Sequence, residues 1–193
     1  MRDSNTSPIL ACGNNDGGQY GRGNTTPASS LQIVTTLTEI RSIAAGARHS
    51  IFVKTDGTVL AAGDNDAGGA YGSVGDGSLL KRTSPVVVTG LSSVDRVVAA
   101  GYRSIALTAD KSALAWGDAT LGQLGDGSTP FSTLAAPALD FSSTVSVSGG
   151  VLMTLAVRSD GQVQAVGAGR LDDTITGILG NGTDASSARA ITV

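Results

Sequence analysis

The 193-residue chain has a single cysteine, a single histidine and few aromatics, three Phe, three Tyr and one Trp. Each scarcity removes a class of chemistry. Cys12 has no partner for an intramolecular disulfide and cannot by itself build a thiolate metal site. Within "ILACG" it reads as a small apolar strand residue. So few aromatic rings offer little stacking surface for bases or sugars. Thirteen Lys and Arg, scattered among sixteen Asp and Glu, give a net charge of −3 and no basic patch. Nucleic acid is therefore not an expected partner, since affinity for phosphates comes from clustered cations. No apolar run approaches the ~20 residues of a membrane span, and "MRDSNTSPILACG" lacks the apolar stretch of a signal peptide. The expectation is a cytoplasmic protein, or a virion component if phage-encoded, with no signal peptide and no membrane contact. The Asn-x-Ser/Thr triplets at Asn5, Asn24 and Asn181 then carry little meaning.

Glycine, by contrast, is abundant. Its 27 copies are about twice the usual ~7% share, which points to many tight turns. The length suits one domain that buries about 70% of its unfolded surface.

The glycines recur in one frame. "ACGNNDGGQYGRG" (11–23), "AAGDNDAGGAYGSVGDG" (61–77), "AWGDATLGQLGDG" (115–127) and "AVGAGRLDDTITGILGNG" (165–182) align on Gly13, Gly63, Gly117 and Gly167, at spacings of 50, 54 and 50. A period near 50 marks a repeat architecture. Between the copies lie "GARHSIFVKTDGTVLAAG", "GYRSIALTADKSALAWG" and "GVLMTLAVRSDGQVQAVG", each with two short β-prone runs about a tight turn, Asp-Gly in two of them. A third element ("SPVVVTGL", "LAAPALDF", "ARAITV") and a fourth ("IRSIAAG", "VDRVVAAG", "TVSVSGG") complete the unit. Nothing has sustained helical periodicity. The sequence predicts an all-β chain: a β-propeller of four-stranded antiparallel blades, in three and a half to four repeats, incomplete as a single chain. Residues 1–8 are expected to be a flexible tail, and 9–193 a repeat domain with units near 9–45, 46–100, 101–149 and 150–193.

These residues resemble the regulator of chromosome condensation repeat family. Its pattern, V-x-x-[IV]-A-A-G-x-x-H-S followed by D-G and a glycine-rich corner, matches "IRSIAAGARHSIFVKTDGTVLAAGDN" (40–65) and "AWGDATLGQLGDG" closely. The resemblance covers nearly everything after residue 8. It implies a propeller, usually seven-bladed, used as a platform for partners. Its founding member also acts as a nucleotide-exchange factor for a small GTPase on chromatin. That activity depends on loops and a wedge not located in this sequence, and the chromatin contact uses basic segments it lacks. No residue role is carried over.

Departures from the pattern mark individuality. The second and fourth corners hold extra residues, "DNDAGGAYGSV" and "RLDDTITGIL". Arg103 and Met153 stand where the first hairpin has His49. The phase is also unusual: 14 strand-like segments are legible where four closed blades need 16. The unpaired ends predict an edge that another chain or a second copy completes. Two copies would supply 28 strands, the number in seven blades, although the strand types do not tile perfectly.

Catalysis finds no footing. His49 precedes Ser50 in a strand, so their side chains point to opposite faces and cannot act as base and nucleophile. The family pattern makes His49 a structural blade residue whose ring ties down neighbouring backbone. The acidic turns could suggest calcium, best placed at Asp64 and Asp66, but none matches a known loop pattern, and Asx turns explain Asp or Asn beside Gly. No metal and no cofactor are expected. The glycine corners lack a following helix for phosphate binding; Gly122 and Gly125 should allow the bend while Leu121 and Leu124 point inward, and Trp116 should pack between blades.

The sequence thus predicts a non-catalytic propeller module that scaffolds protein partners through its two enlarged loops. Tyr71, Asp64, Asp66, Asp172, Asp173 and Ile175 are the partner-binding candidates. A structural or receptor-binding subunit of a larger particle, such as a phage tail or capsid accessory, is the alternative. A nucleotide-exchange factor is the third.

Overall fold

A computed structural model describes residues 8–66, 68–69, 71–138 and 141–193. Apart from Pro8, the expected tail lies outside these residues. Among them no helix occurs, and fourteen strands form four antiparallel sheets. β1 (Ile9–Gly13) pairs with β2 (Ala28–Val34). β3 (Ile40–Ala45), β4 (His49–Lys54), β5 (Val59–Gly63) and β6 (Arg82–Val87) form a four-stranded meander. β7 (Val94–Ala100), β8 (Arg103–Thr108), β9 (Ala113–Asp118) and β10 (Phe131–Pro137) form the next. β11 (Thr144–Gly149), β12 (Met153–Arg158), β13 (Val163–Gly167) and β14 (Ser187–Thr192) form the last. The ring they describe is not closed, so the propeller is partial.

Each four-stranded sheet begins one strand earlier than the corresponding sequence unit. The return strand, such as β3, folds onto β4 through the short turn at 46–48 and so belongs to the blade that follows it. β3, β7 and β11 are the innermost strands and adjoin one another along the open ring.

Both faces of a blade are buried, so its second strand reads as a continuous apolar run rather than an alternation. In β4, Ile51 and Val53 join Val97, Ala106 and Trp116 in the seam toward the β7–β10 blade. Phe52 turns the other way, onto Val34, Leu37 and Ala62 in the seam toward β1–β2. Ile105, Leu107 and Ala115 meet Leu124 and Val147 in the next seam, and Phe141 meets Ala156 and Val166 beside it. Burial at about 25 cal/mol per Å² of apolar surface makes these seams the main cohesive term. A single sheet has no comparable core of its own.

The glycine corners join the blades. Each lies over the outermost strand of the following sheet: Gly23 N–H donates to Thr83 O (2.8 Å), Gly77 to Thr133 O (3.0 Å) and Gly127 to Ala188 O (3.0 Å). A Cβ on Gly72 would stand 2.8 Å from Thr133 Cα, and one on Gly122 2.5 Å from Ala188 Cα, so the close approach itself requires glycine. Gly122 and Gly125 adopt φ of 81° and 71°, and Leu124 is buried, as expected. Leu121 is not: it is 37% exposed, because the bend that turns Leu124 inward leaves its neighbour on the outer side. Trp116 is fully buried between blades and donates through Nε1 to Ser73 O at 3.0 Å.

Candidate partner-binding loops and a groove at the blade edge

The turns between first and second strands and the long loops between third and fourth strands emerge at the same end of the blades, since Gly63 pairs with His49. Two of the long loops carry the residues singled out from the sequence.

In the loop after β5, Tyr71 is half-buried and its ring stacks on Tyr102 of the next blade, with centroids 4.7 Å apart and planes 12° from parallel. Ser73 Oγ–H donates to Tyr102 O at 2.6 Å, fixing the same contact through the backbone. Asp64 is only 7% exposed, and its carboxylate sits 3.0 Å from Arg48 Nε. Asp66 is exposed, and with Arg48, Asp64, Gly68, Leu79 and Lys81 it lines a surface depression of roughly 470 Å³. Asp64 thus shapes the depression from within, whereas Asp66 faces outward. Asn65, fully buried, organises the loop by donating to Ser78 O (2.8 Å) and accepting from Val74 N–H (2.8 Å).

In the loop after β13, the Asp172 carboxylate accepts from the Thr174 hydroxyl (2.6 Å) and from the backbone N–H groups of Thr174 and Ile175 (both 2.8 Å). Those bonds, the hydroxyl's first, hold its pKa below the usual carboxylate range. Asp173 is fully out in solvent, 3.6 Å from Arg170. Ile175 is 49% exposed and Leu171 55%, side by side through the Leu171 N–H to Ile175 O bond of 2.9 Å. The β7–β10 blade separates this group from Tyr71, Asp64 and Asp66, so the six candidates fall into two surfaces.

Sequence reasoning missed the polar ties between blades. His49 Nε2 lies 2.9 Å from Ser104 Oγ, and Ser104 in turn donates to Ser73 O at 2.9 Å. One repeat further on, Arg103 Nε donates to Thr154 Oγ1 (3.1 Å), which donates to Gln123 O (2.8 Å). Arg103 also donates to the carbonyls of Gly150, Val151 and Met153, and burial pushes its pKa down to about 10. The available signal was the hydroxyl recurring beside the variable position, as Ser50, Ser104 and Thr154. Burial likewise pushes His49 down to about 4, so the ring is neutral. Because Ser104 spends its proton on Ser73 O, His49 must donate from Nε2–H; Nδ1 has no hydrogen-bond partner among the described residues.

Beside the two-stranded sheet lies a groove of about 440 Å³, lined by Ile9, Cys12, Tyr20, Ile43, Ser50 and Phe52 among others. Its lining is mainly apolar and it runs into the Val34, Leu37 and Phe52 seam.

Comparison with known proteins follows this geometry. The sequence model of the regulator of chromosome condensation (RCC1) repeat matches residues 40–68. The chain is 28% identical over 179 residues to the human E3 ubiquitin-protein ligase HERC2, covering 85% of this chain and 4% of that protein. It is 31% identical over 165 residues to the Arabidopsis thaliana ultraviolet-B receptor UVR8, covering 82% of this chain and 37% of the receptor. Prp20p of Saccharomyces cerevisiae superposes with a TM-score of 0.80 at 18% identity, over 97% of this chain and 46% of its own. Human WBSCR16 gives 0.74 at 21%, over 97% and 48%. The chain therefore spans less than half the length of each of these relatives. Its repeat sequence, its four-stranded blades and these likenesses agree: the chain belongs to the regulator of chromosome condensation repeat family and forms part of a β-propeller.

Proposed function

We infer that the chain is a non-catalytic protein-interaction module that scaffolds partners through the long loops at one end of its blades. One observation carries this reading. The long loop after β13 holds Leu171 and Ile175 side by side, joined by the Leu171 N–H to Ile175 O bond of 2.9 Å. It offers both to solvent, and Val151 on the same blade is 71% exposed. Adjacent exposed apolar residues of this kind mark association surfaces. Prp20p, with the same fold, has been crystallised with Kap60 and studied for its binding to Gsp1p and histones, which supports a protein-binding use of the scaffold.

Affinity capture of native complexes with the wild-type chain and with a Leu171→Asp/Ile175→Asp variant tests it. The wild type should recover a stoichiometric partner that the variant loses while keeping its far-UV circular dichroism. Equal recovery by both would remove the assignment.

A further inference from the structure

The loop between β5 and β6 departs from the repeat in a way the fold does not require. Counted from the corner glycines Gly23, Gly77, Gly127 and Gly182, Leu79, Leu80 and Lys81 stand at positions the other corners fill differently. There the residues are Thr25, Thr26 and Pro27, then Thr129, Pro130 and Phe131, then Asp184, Ala185 and Ser186. Leu79 is 37% exposed and Leu80 63%, so neither fills a core. A second departure lies in the turn ahead of β4, where Arg48 stands in place of the Tyr102 and Leu152 of the following blades.

The fold brings the two departures together. All four residues line one surface depression of about 470 Å³, whose walls belong entirely to the β3–β6 blade and its loops. Asp16 and Gly17, consecutive in the preceding corner, touch both parts: Lys81 Nζ donates to Asp16 O at 3.0 Å, and a Cβ on Gly17 would stand 2.7 Å from Arg48 O.

Both cations are anchored by protein and keep donors to spend. Asp64 pairs with Arg48 Nε at 3.0 Å, while the Nη groups, on a side chain 39% exposed, bond to no described residue. The Lys81 ammonium has three donors, of which the described residues take one. Arg82 is already engaged, donating from Nε to Asp76 at 2.6 Å. A guanidinium fork and an ammonium suit a carboxylate. Exposed leucines beside them gain from being covered by an aliphatic side chain. Asp66, exposed on the same rim, repels a second negative charge and so disfavours phosphate.

We propose that this depression docks a segment of a partner protein in which an aspartate or glutamate adjoins a large aliphatic residue. The carboxylate accepts from Arg48 Nη and Lys81 Nζ, and the aliphatic side chain covers Leu79 and Leu80. The proposal rests on the protein-interaction reading but concerns the loop after β5 rather than Leu171 and Ile175, so either can fail alone.

The probe is the blocked peptide acetyl-Gly-Ser-Glu-Leu-Leu-Ser-Gly-amide, whose glutamate is its only charge. Titrated into the isotope-labelled full chain and followed by NMR, it should shift the Arg48 Nε–H and the amides of Leu79, Leu80 and Lys81 saturably at millimolar concentration. The amides of Leu171 and Ile175 should stay in place. The glutamine analogue should bind about fivefold more weakly, the scale of a partly exposed ion pair. Lys81→Gln should weaken binding of the glutamate peptide about threefold and narrow the gap to its analogue. Leu80→Ser should weaken both peptides alike. Both substitutions fall on exposed residues, and an unchanged Tm separates their effect from loss of folding. No saturable shift at millimolar peptide, equal binding of the glutamate and glutamine peptides to the wild-type chain, or tighter binding of a phosphoserine or lysine analogue would each overturn the proposal.

Discussion

His49 in β4 reaches across the blade boundary to Ser104 in β8, Nε2 to Oγ 2.9 Å, while its neighbour Ile51 enters the apolar seam on the same side. A polar tie inside a hydrophobic seam fixes the register of one sheet against the next, which apolar burial alone does poorly because it is non-directional. Ser104 and Trp116 both donate to Ser73 O, so the corner after β5, the second strand of the next blade and the lone tryptophan share one acceptor. The position is variable in the repeat, yet its task is kept: His49 uses one donor where Arg103 uses several.

Stability should depend on pH through His49. Burial lowers its folded pKa from the ordinary 6.5 to about 4, so the unfolded chain binds the proton first as the pH falls. This contribution is full above about pH 6.5, shrinks between there and pH 4, and is gone below. Some 2.5 pH units correspond to roughly 3 kcal/mol at most. Urea unfolding at pH 7 and pH 4.5 should show the loss in the wild type, and the difference should be absent in His49→Gln.

Arg103 should be costly to truncate. Arg103→Ala leaves Thr154 Oγ1 and the carbonyls of Gly150, Val151 and Met153 without their donor in a buried seam, a loss of about 3 kcal/mol or more. Arg103→Met, the residue at the equivalent place one repeat later, should cost less because it keeps most of the apolar stem. Chemical denaturation of the two variants gives the order.

Gly72 and Gly177 have nearly the same φ, 71° and 65°, but only Gly72 is pressed against a neighbouring strand. Gly177→Ala should cost about 1 kcal/mol, the price of the left-handed backbone. Gly72→Ala adds a clash with Ser132 O and Thr133, and should cost at least about 1 kcal/mol more. Thermal unfolding of the pair separates strain from contact.

The hairpin turn between β8 and β9 holds Lys111 at φ 68°, where the equivalent turns have Gly57 and Gly161 at 86°. Lys111→Gly should therefore stabilise the chain by up to about 1 kcal/mol, against the usual direction for glycine. A rise in Tm of the Lys111→Gly variant is the expected reading.

Much of the fold was legible because a repeat states its rules several times. The recurring glycines gave the period, the short apolar runs gave the strands, and their order gave the meander. Two placements were not legible. Leu121 was expected inside, yet a positive-φ corner turns Leu124 inward instead, and which leucine is buried depends on the outer strand of the next blade. Asp64 and Asp66 look alike in "DND", but Asp64 is buried against Arg48, sixteen residues before it, while Asp66 is exposed.

The sequence by itself determined the element order, the antiparallel pairing within each blade and the identity of the corners, since these follow from local backbone preference and alternation over a few residues. Tertiary structure alone decided which side chains meet between blades, that Gly63, Gly117 and Gly167 lie against the backbone of the neighbouring second strand, and that the six candidate residues form two surfaces. Those outcomes depend on contacts between residues some fifty apart, where burial and clearance are set by the neighbouring sheet and leave no trace in the local pattern.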